Sequence, residues 1–178
     1  MNRKYLGCFL LIFCSAALAS TQGIPCNGAA GAVRMNPDAT SGGFVALTAS
    51  VDSSVVLAPD AAVCDSATVL EGAKILGQSV ISGRATVRGR VEVNDQARVY
   101  GEAYLANFYG SPLQVMGQAR VYGRAYLNGS VVVSGSAEVF GYAKILDYAQ
   151  ILGNSKVCSS YYVDGYAVLL DDQSLCNQ

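Results

Sequence analysis

Histidine is absent from all 178 residues. That removes the usual general base, and it removes the imidazole that would complete a zinc site beside cysteines. No nucleophile-elbow or phosphate-loop spacing occurs either. Asp and Glu could serve as bases in principle, but no pair stands out. Asp60, Asp65, Glu71, Asp95, Asp147, Asp171 and Asp172 fall where turns are expected, and Asp is an ordinary turn residue. No cofactor or metal site is expected from this inventory. Charge of one sign is also lacking, with 12 basic and 13 acidic residues. No basic patch stands out, which argues against a nucleic-acid partner.

What is present is a six-residue period running from Gly43 to Gln178. The third position of each hexad is Val, Ile or Leu in 22 of 22 hexads, from Val45 to Leu175. One interruption of four residues, Tyr109 to Pro112, breaks the series. The first position is mostly Ala or Ser, and the fifth is mostly Gly, Asp or Asn. Side chains alternate along a strand, so positions one and three share a face and point inward. Gly, Asn and Asp tolerate the positive φ of a tight corner. Each hexad therefore reads as a short strand followed by a corner. A short fixed period signals a solenoid. A six-residue period does not hold one face of a 3.6-residue helix.

Alternating small and aliphatic residues on this period resemble the hexapeptide-repeat proteins. The resemblance implies an all-β fold, a left-handed parallel β-helix with three hexads per triangular coil. The handedness comes from the resemblance, since general crossover rules favour the opposite hand. An internal duplication fits that count. Gln96–Leu105 (QARVYGEAYL) and Gln118–Leu127 (QARVYGRAYL) lie 22 residues apart, which is one 18-residue coil plus the four-residue interruption. The prediction is about seven coils with one short corner loop. Acyltransferases similar to this chain in repeat typically use a His base, and carbonic anhydrases of the same fold use three His. Neither set can be placed here.

Residues 1–19 read as a secretory signal. Arg3 and Lys4 precede an apolar run, and Ala17-Leu18-Ala19 forms a cleavage site. The run is too short to span a bilayer comfortably. The processed chain would keep ten basic residues against 13 acidic ones, a net charge of −3. Residues 20–42 lack the repeat and read as an arm or cap, because open β-helix ends need covering. Residues 43–178 form the β-helix. Four cysteines remain after processing, Cys26, Cys64, Cys158 and Cys176, an even number that suits disulfides in an exported chain. Cys158 and Cys176 are one coil apart at position four and should stack within bonding range. That leaves Cys26 for Cys64. The periplasm, the cell surface and the extracellular medium all fit.

Positions two and four point outward and sort onto three faces. The first face carries Arg98 with Tyr100, Arg120 with Tyr122, and Glu138 with Phe140. The second carries Tyr104, Tyr126, Lys144 and Tyr162. Tyr142, Tyr148 and Tyr166 lie at corners. Like side chains stack well on neighbouring strands, so these columns can serve as stabilising ladders. They can also form a glycan- or envelope-binding surface, with Arg98, Tyr100, Tyr104, Arg120, Tyr122, Tyr126 and Phe140 as candidate contacts. The third face is more apolar: Val56, Ala58, Leu76, Met116, Val132, Leu152, Val168 and Leu170. Such rows usually mark an interface, and the resemblance to hexapeptide-repeat proteins implies a homotrimer assembled through Leu76, Met116, Val132, Leu152, Val168 and Leu170. Together these features predict an exported non-catalytic structural or binding module. The alternative is a divergent hexapeptide acyltransferase lacking the catalytic His.

Overall fold

The computed structural model describes residues 25–176. The signal sequence expected at 1–19 lies outside them. The chain forms a left-handed parallel β-helix of about seven coils. The 23 strands of the described residues fall into one nine-stranded and two seven-stranded sheets, which are the three faces of the prism. Each strand of the coil pairs in parallel with the strand one coil away. On the first face the register runs Phe44↔Ala62, Ala62↔Val80 and Val80↔Arg98, always 18 residues apart. The next step, Arg98↔Arg120, spans 22 residues, and the following steps return to 18. The extra residues leave the coil between strands Tyr104–Asn107 and Leu113–Val115. They bulge from one corner without disturbing the register on either side.

The interior follows the hexad. Third-position residues from Leu57 to Val157 are fully buried, and first-position Ala67, Ala85, Ala103, Ala125 and Ala143 are buried beside them. Among the buried first positions, Val55, Val91, Leu113 and Val131 depart from the small-residue rule. All four stand at or just before the start of third-face strands, so that side of the interior is filled by larger side chains. Two buried serines replace Ala at position one. Ser79 Oγ donates to the Leu76 carbonyl at 2.6 Å, and Ser155 Oγ donates to the Leu152 carbonyl at 2.7 Å. Both hydroxyls are thereby satisfied, as burial requires.

The corners explain the fifth position. Positive φ occurs there at Asp65, Glu71, Asp95, Asp147, Ser159 and Asp171, and at a series of glycines. A Cβ on Gly83 would lie 2.8 Å from the Gly101 nitrogen, so stacked corners exclude it. Asp succeeds where its carboxylate takes the neighbouring N–H. Asp65 accepts from Gly83 N and Asp95 from Gly117 N, each at 2.8 Å.

The N-terminal arm folds over the first coil. Strand β1 (Gly31–Met35) pairs antiparallel with β2 (Ser41–Ala46). Cys26 is bonded to Cys64 with a Cα separation of 5.2 Å. Cys158 and Cys176 are bonded across the last two coils, with Cα atoms 5.1 Å apart. Two disulfides fit an oxidising, non-cytoplasmic environment. Among the described residues no helix is long and apolar enough to cross a membrane.

Candidate functional site

The in-register repeat forces outward residues into columns, so chemistry on a face depends on what each column does with itself. On the first face Tyr100, Tyr122 and Phe140 form a continuous stack. Successive ring centroids are 4.8 Å apart and the planes are within 1° of parallel. The spacing equals the strand separation, so the backbone sets it. Ring faces are therefore turned toward each other along the helix axis, and the rims face water. Tyr122 Oη donates to Glu138 at 3.1 Å, and Arg120 lies 3.9 Å from the same carboxylate. Burial raises the Tyr100 hydroxyl above its ordinary pKa. Burial, then the Glu138 charge, pushes Tyr122 up to about 12. Arg98 is exposed and sits in register with Arg120.

The second face repeats the motif on a smaller scale. Tyr104 and Tyr126 stack at 5.5 Å, and Asn128 Nδ2 donates to Tyr126 Oη at 3.1 Å. Lys144 and Tyr162 continue this column in register and are exposed.

Ion pairs also join neighbouring coils. Arg88 binds Glu71 through two nitrogens at 2.7 and 3.0 Å, and Arg124 Nε meets Glu102 at 2.8 Å. These carboxylates hold both guanidiniums in their charged form. Lys74 lies 2.9 Å from Glu92, whose pKa is lowered mainly by that contact. This last pair corrects the expectation for the third face. Lys74, Glu92 and Gln114 stand in one column between Val56 and Val132. Asn94 and Ser134 interrupt the neighbouring column of Leu76, Met116 and Leu152. The apolar strip is therefore broken into patches. Leu76, Met116, Val132 and Leu152 are already half-buried within one chain, and only Val168 (46%) and Leu170 (51%) stand well exposed.

A different place has the shape of a site. Beside the corner loop, an open groove of about 390 Å³ is lined by Tyr109, Asn128, Ser130, Asp147 and Tyr148. The loop is held firmly. Buried Asn107 donates to the Ser111 carbonyl at 2.5 Å and accepts from Tyr109 N at 3.1 Å. Ser130 Oγ donates to the same carbonyl at 2.9 Å, and Arg88 lies over the Phe108 ring at 5.1 Å. Reading the outward rows by hexad position passes over this cluster, because the loop residues have no place in the repeat. The interruption itself was the available signal.

Among the described residues, no cluster of three or more His, Cys, Asp or Glu could hold a metal. No protein-family model matches the chain, and no curated protein matches it. Among similar solved structures is a Bacillus cereus protein described as a "putative acetyltransferase". It is 21% identical, with 68% of this chain and 69% of that chain covered, at a TM-score of 0.35. A likeness at that level carries no argument about activity.

Proposed function

We propose that this chain is an exported, non-catalytic β-helix module whose outer rows lock the coils into a stiff rod. About seven coils at the strand spacing give a rod roughly 34 Å long. The observation that supports this reading best is the Tyr100–Tyr122–Phe140 stack. A platform for a flat ligand would present ring faces outward. Tyr122 has both ring faces covered, and Tyr100, Phe140, Tyr104 and Tyr126 each have one face against a stacked neighbour. The cross-coil ion pairs work in the same sense. Assembly follows as part of the proposal: a homotrimer through the third face, centred on its C-terminal patch of Val132, Leu152, Val168 and Leu170. Light scattering on a Leu152→Glu/Leu170→Glu variant checks it, with a shift from trimer toward monomer expected.

The deciding experiment for the structural role is a thermal melt of Tyr100→Ala/Tyr122→Ala, run beside a glycan array. Each stacked pair contributes about 0.5–1.5 kcal/mol beyond area burial, so Tm should fall by several degrees. Array binding of the variant should match the parent. An unchanged Tm together with lost glycan binding would overturn the structural role and restore the first face as a binding surface.

A further inference from the structure

We infer that the corner groove beside the Asn107–Leu113 connection is a saccharide-binding site that takes a neutral pyranose ring. The site goes beyond the rod function and does not depend on it.

The first support is the loop itself. Every other corner in the repeat turns tightly from one strand into the next. This one carries four extra residues, and they are not slack. Asn107 is 2% exposed and spends its amide on both sides of the loop. Ser130 fixes the same carbonyl from the next coil, and Arg88 clamps Phe108 while bound to Glu71. A loop held this way on a rigid scaffold is preorganised, which lowers the entropic cost of binding.

The second support is the orientation of the aromatics. Tyr148 is backed by Tyr166, whose ring is stacked 5.0 Å away. On its other side the position above it in register belongs to Ser130, which is small. Tyr148 therefore borders the groove with support behind it, unlike Tyr122, whose two faces are both occupied. Across the groove stands Tyr109, 86% exposed at the loop. Two strand spacings separate the loop from the Tyr148 coil, roughly 10 Å, enough for one ring between them.

The third support is the polar lining. Asn128 and Asp147 both offer oxygen acceptors there, and one Asp147 oxygen already takes the Gly165 N–H at 3.2 Å. Acceptors call for a ligand rich in hydroxyl donors. The carboxylate disfavours anions, no Lys or Arg lines the groove, and Arg88, over the Phe108 ring, is committed to Glu71. A pyranose meets each requirement, with an apolar ring face for tyrosine and hydroxyls for the carboxylate and amide. A nucleotide would bring phosphate to a groove whose lining holds a carboxylate and no Lys or Arg.

The test uses the exported full chain on immobilised glycans. One set ends in neutral hexose or N-acetylhexosamine, and the other carries uronate or sulfate. Retention on at least one neutral glycan is expected. Tyr109→Ala and Tyr148→Ala should each weaken it tenfold or more. Tyr142→Ala, an exposed corner tyrosine paired with Arg124, should leave it unchanged. Tyr109 packs into no core, so its variant should melt with the parent and separate binding from folding. No retention on any neutral glycan, retention on the anionic set alone, or equal weakening by Tyr142→Ala would each overturn the assignment.

Discussion

At the N-terminal end, β1 covers the outer edge of β2, and Asn36 takes both polar groups of Leu57, accepting from its N–H at 2.8 Å and donating to its C=O at 2.9 Å. Arg34 donates to the Asp52 carbonyl at 2.7 Å. Each of the three faces thus meets something from the arm. At the other end, strands Tyr162–Val163, Val168–Leu169 and Ser174–Leu175 are the last of their sheets, and no described strand lies beyond them. Leu175 is half-buried where mid-helix counterparts are fully buried, and Val168 and Leu170 stand exposed. A repeat supplies each coil with two neighbours only in the middle. Closing an end takes residues outside the repeat, and among the described residues these are concentrated at the N-terminal end. The C-terminal coil relies on the Cys158–Cys176 bond to its neighbour.

The largest effect should come from moving one substitution along the rod. Val121→Asp buries an unpaired charge among fully buried neighbours, enough to unfold a domain of ordinary stability, about 5–15 kcal/mol. Leu175→Asp places the same charge at the open end, where water can reach it. Its circular dichroism spectrum should stay folded, with a Tm lowered by a few degrees. If both variants unfold, the last coil is as well enclosed as the middle and the contrast fails.

Next in size is the cap. Asn36→Leu fits a similar volume but leaves the Leu57 N–H and C=O unpaired in a buried position. Each orphaned group costs about 1–3 kcal/mol. Hydrogen exchange should show loss of protection at Leu57 and its neighbours, with the last coil unchanged. Uniform loss along the whole rod would mean that the cap governs global stability rather than its own end.

The two disulfides give a smaller, ordered difference. Cys26–Cys64 spans 38 residues and Cys158–Cys176 spans 18. In the chain-entropy account the longer closure is worth about 0.7 kcal/mol more. Denaturant melts of Cys26→Ser/Cys64→Ser and Cys158→Ser/Cys176→Ser should rank in that order. The reverse order would show that the open end depends on its bond for more than loop closure.

Much of the fold was legible because the hexad leaves few choices. Val at position three and Ala at position one mark the inside, and Gly or Asp at position five marks the corner. Coil count and register then follow from the three-hexad coil that the family resemblance implies and the 22-residue duplication supports. The outward columns were legible too, down to Tyr100 above Tyr122. What a column does with its rings was not. Stacking along the axis and lying flat on the face use the same residues at the same positions, and only side-chain torsions separate them. The third face misled for a related reason. Its apolar members were counted without Lys74, Glu92 and Gln114, which share the column and pair with each other. The groove was hidden because it depends on three-dimensional closeness between a non-repeating loop and Tyr148, two coils away.

The smallest expected effect probes the well-neighboured middle by pH. Burial raises Tyr122 to about 12, against an ordinary 10, with the Glu138 charge adding to it. Below pH 10 both folded and unfolded chains hold this proton, and the contribution is constant. Between 10 and 12 the unfolded chain releases it while the folded chain keeps it, so stability falls as pH rises. Tyr122→Phe keeps the stack and removes the ionisation, at the cost of the bond to Glu138. The variant should therefore melt slightly below the parent at pH 8, and the gap should close or reverse by pH 11. A gap that stays constant across that range would mean that Tyr122 ionises as freely in the rod as in the unfolded chain. The middle would then be no better shielded from water than the open end.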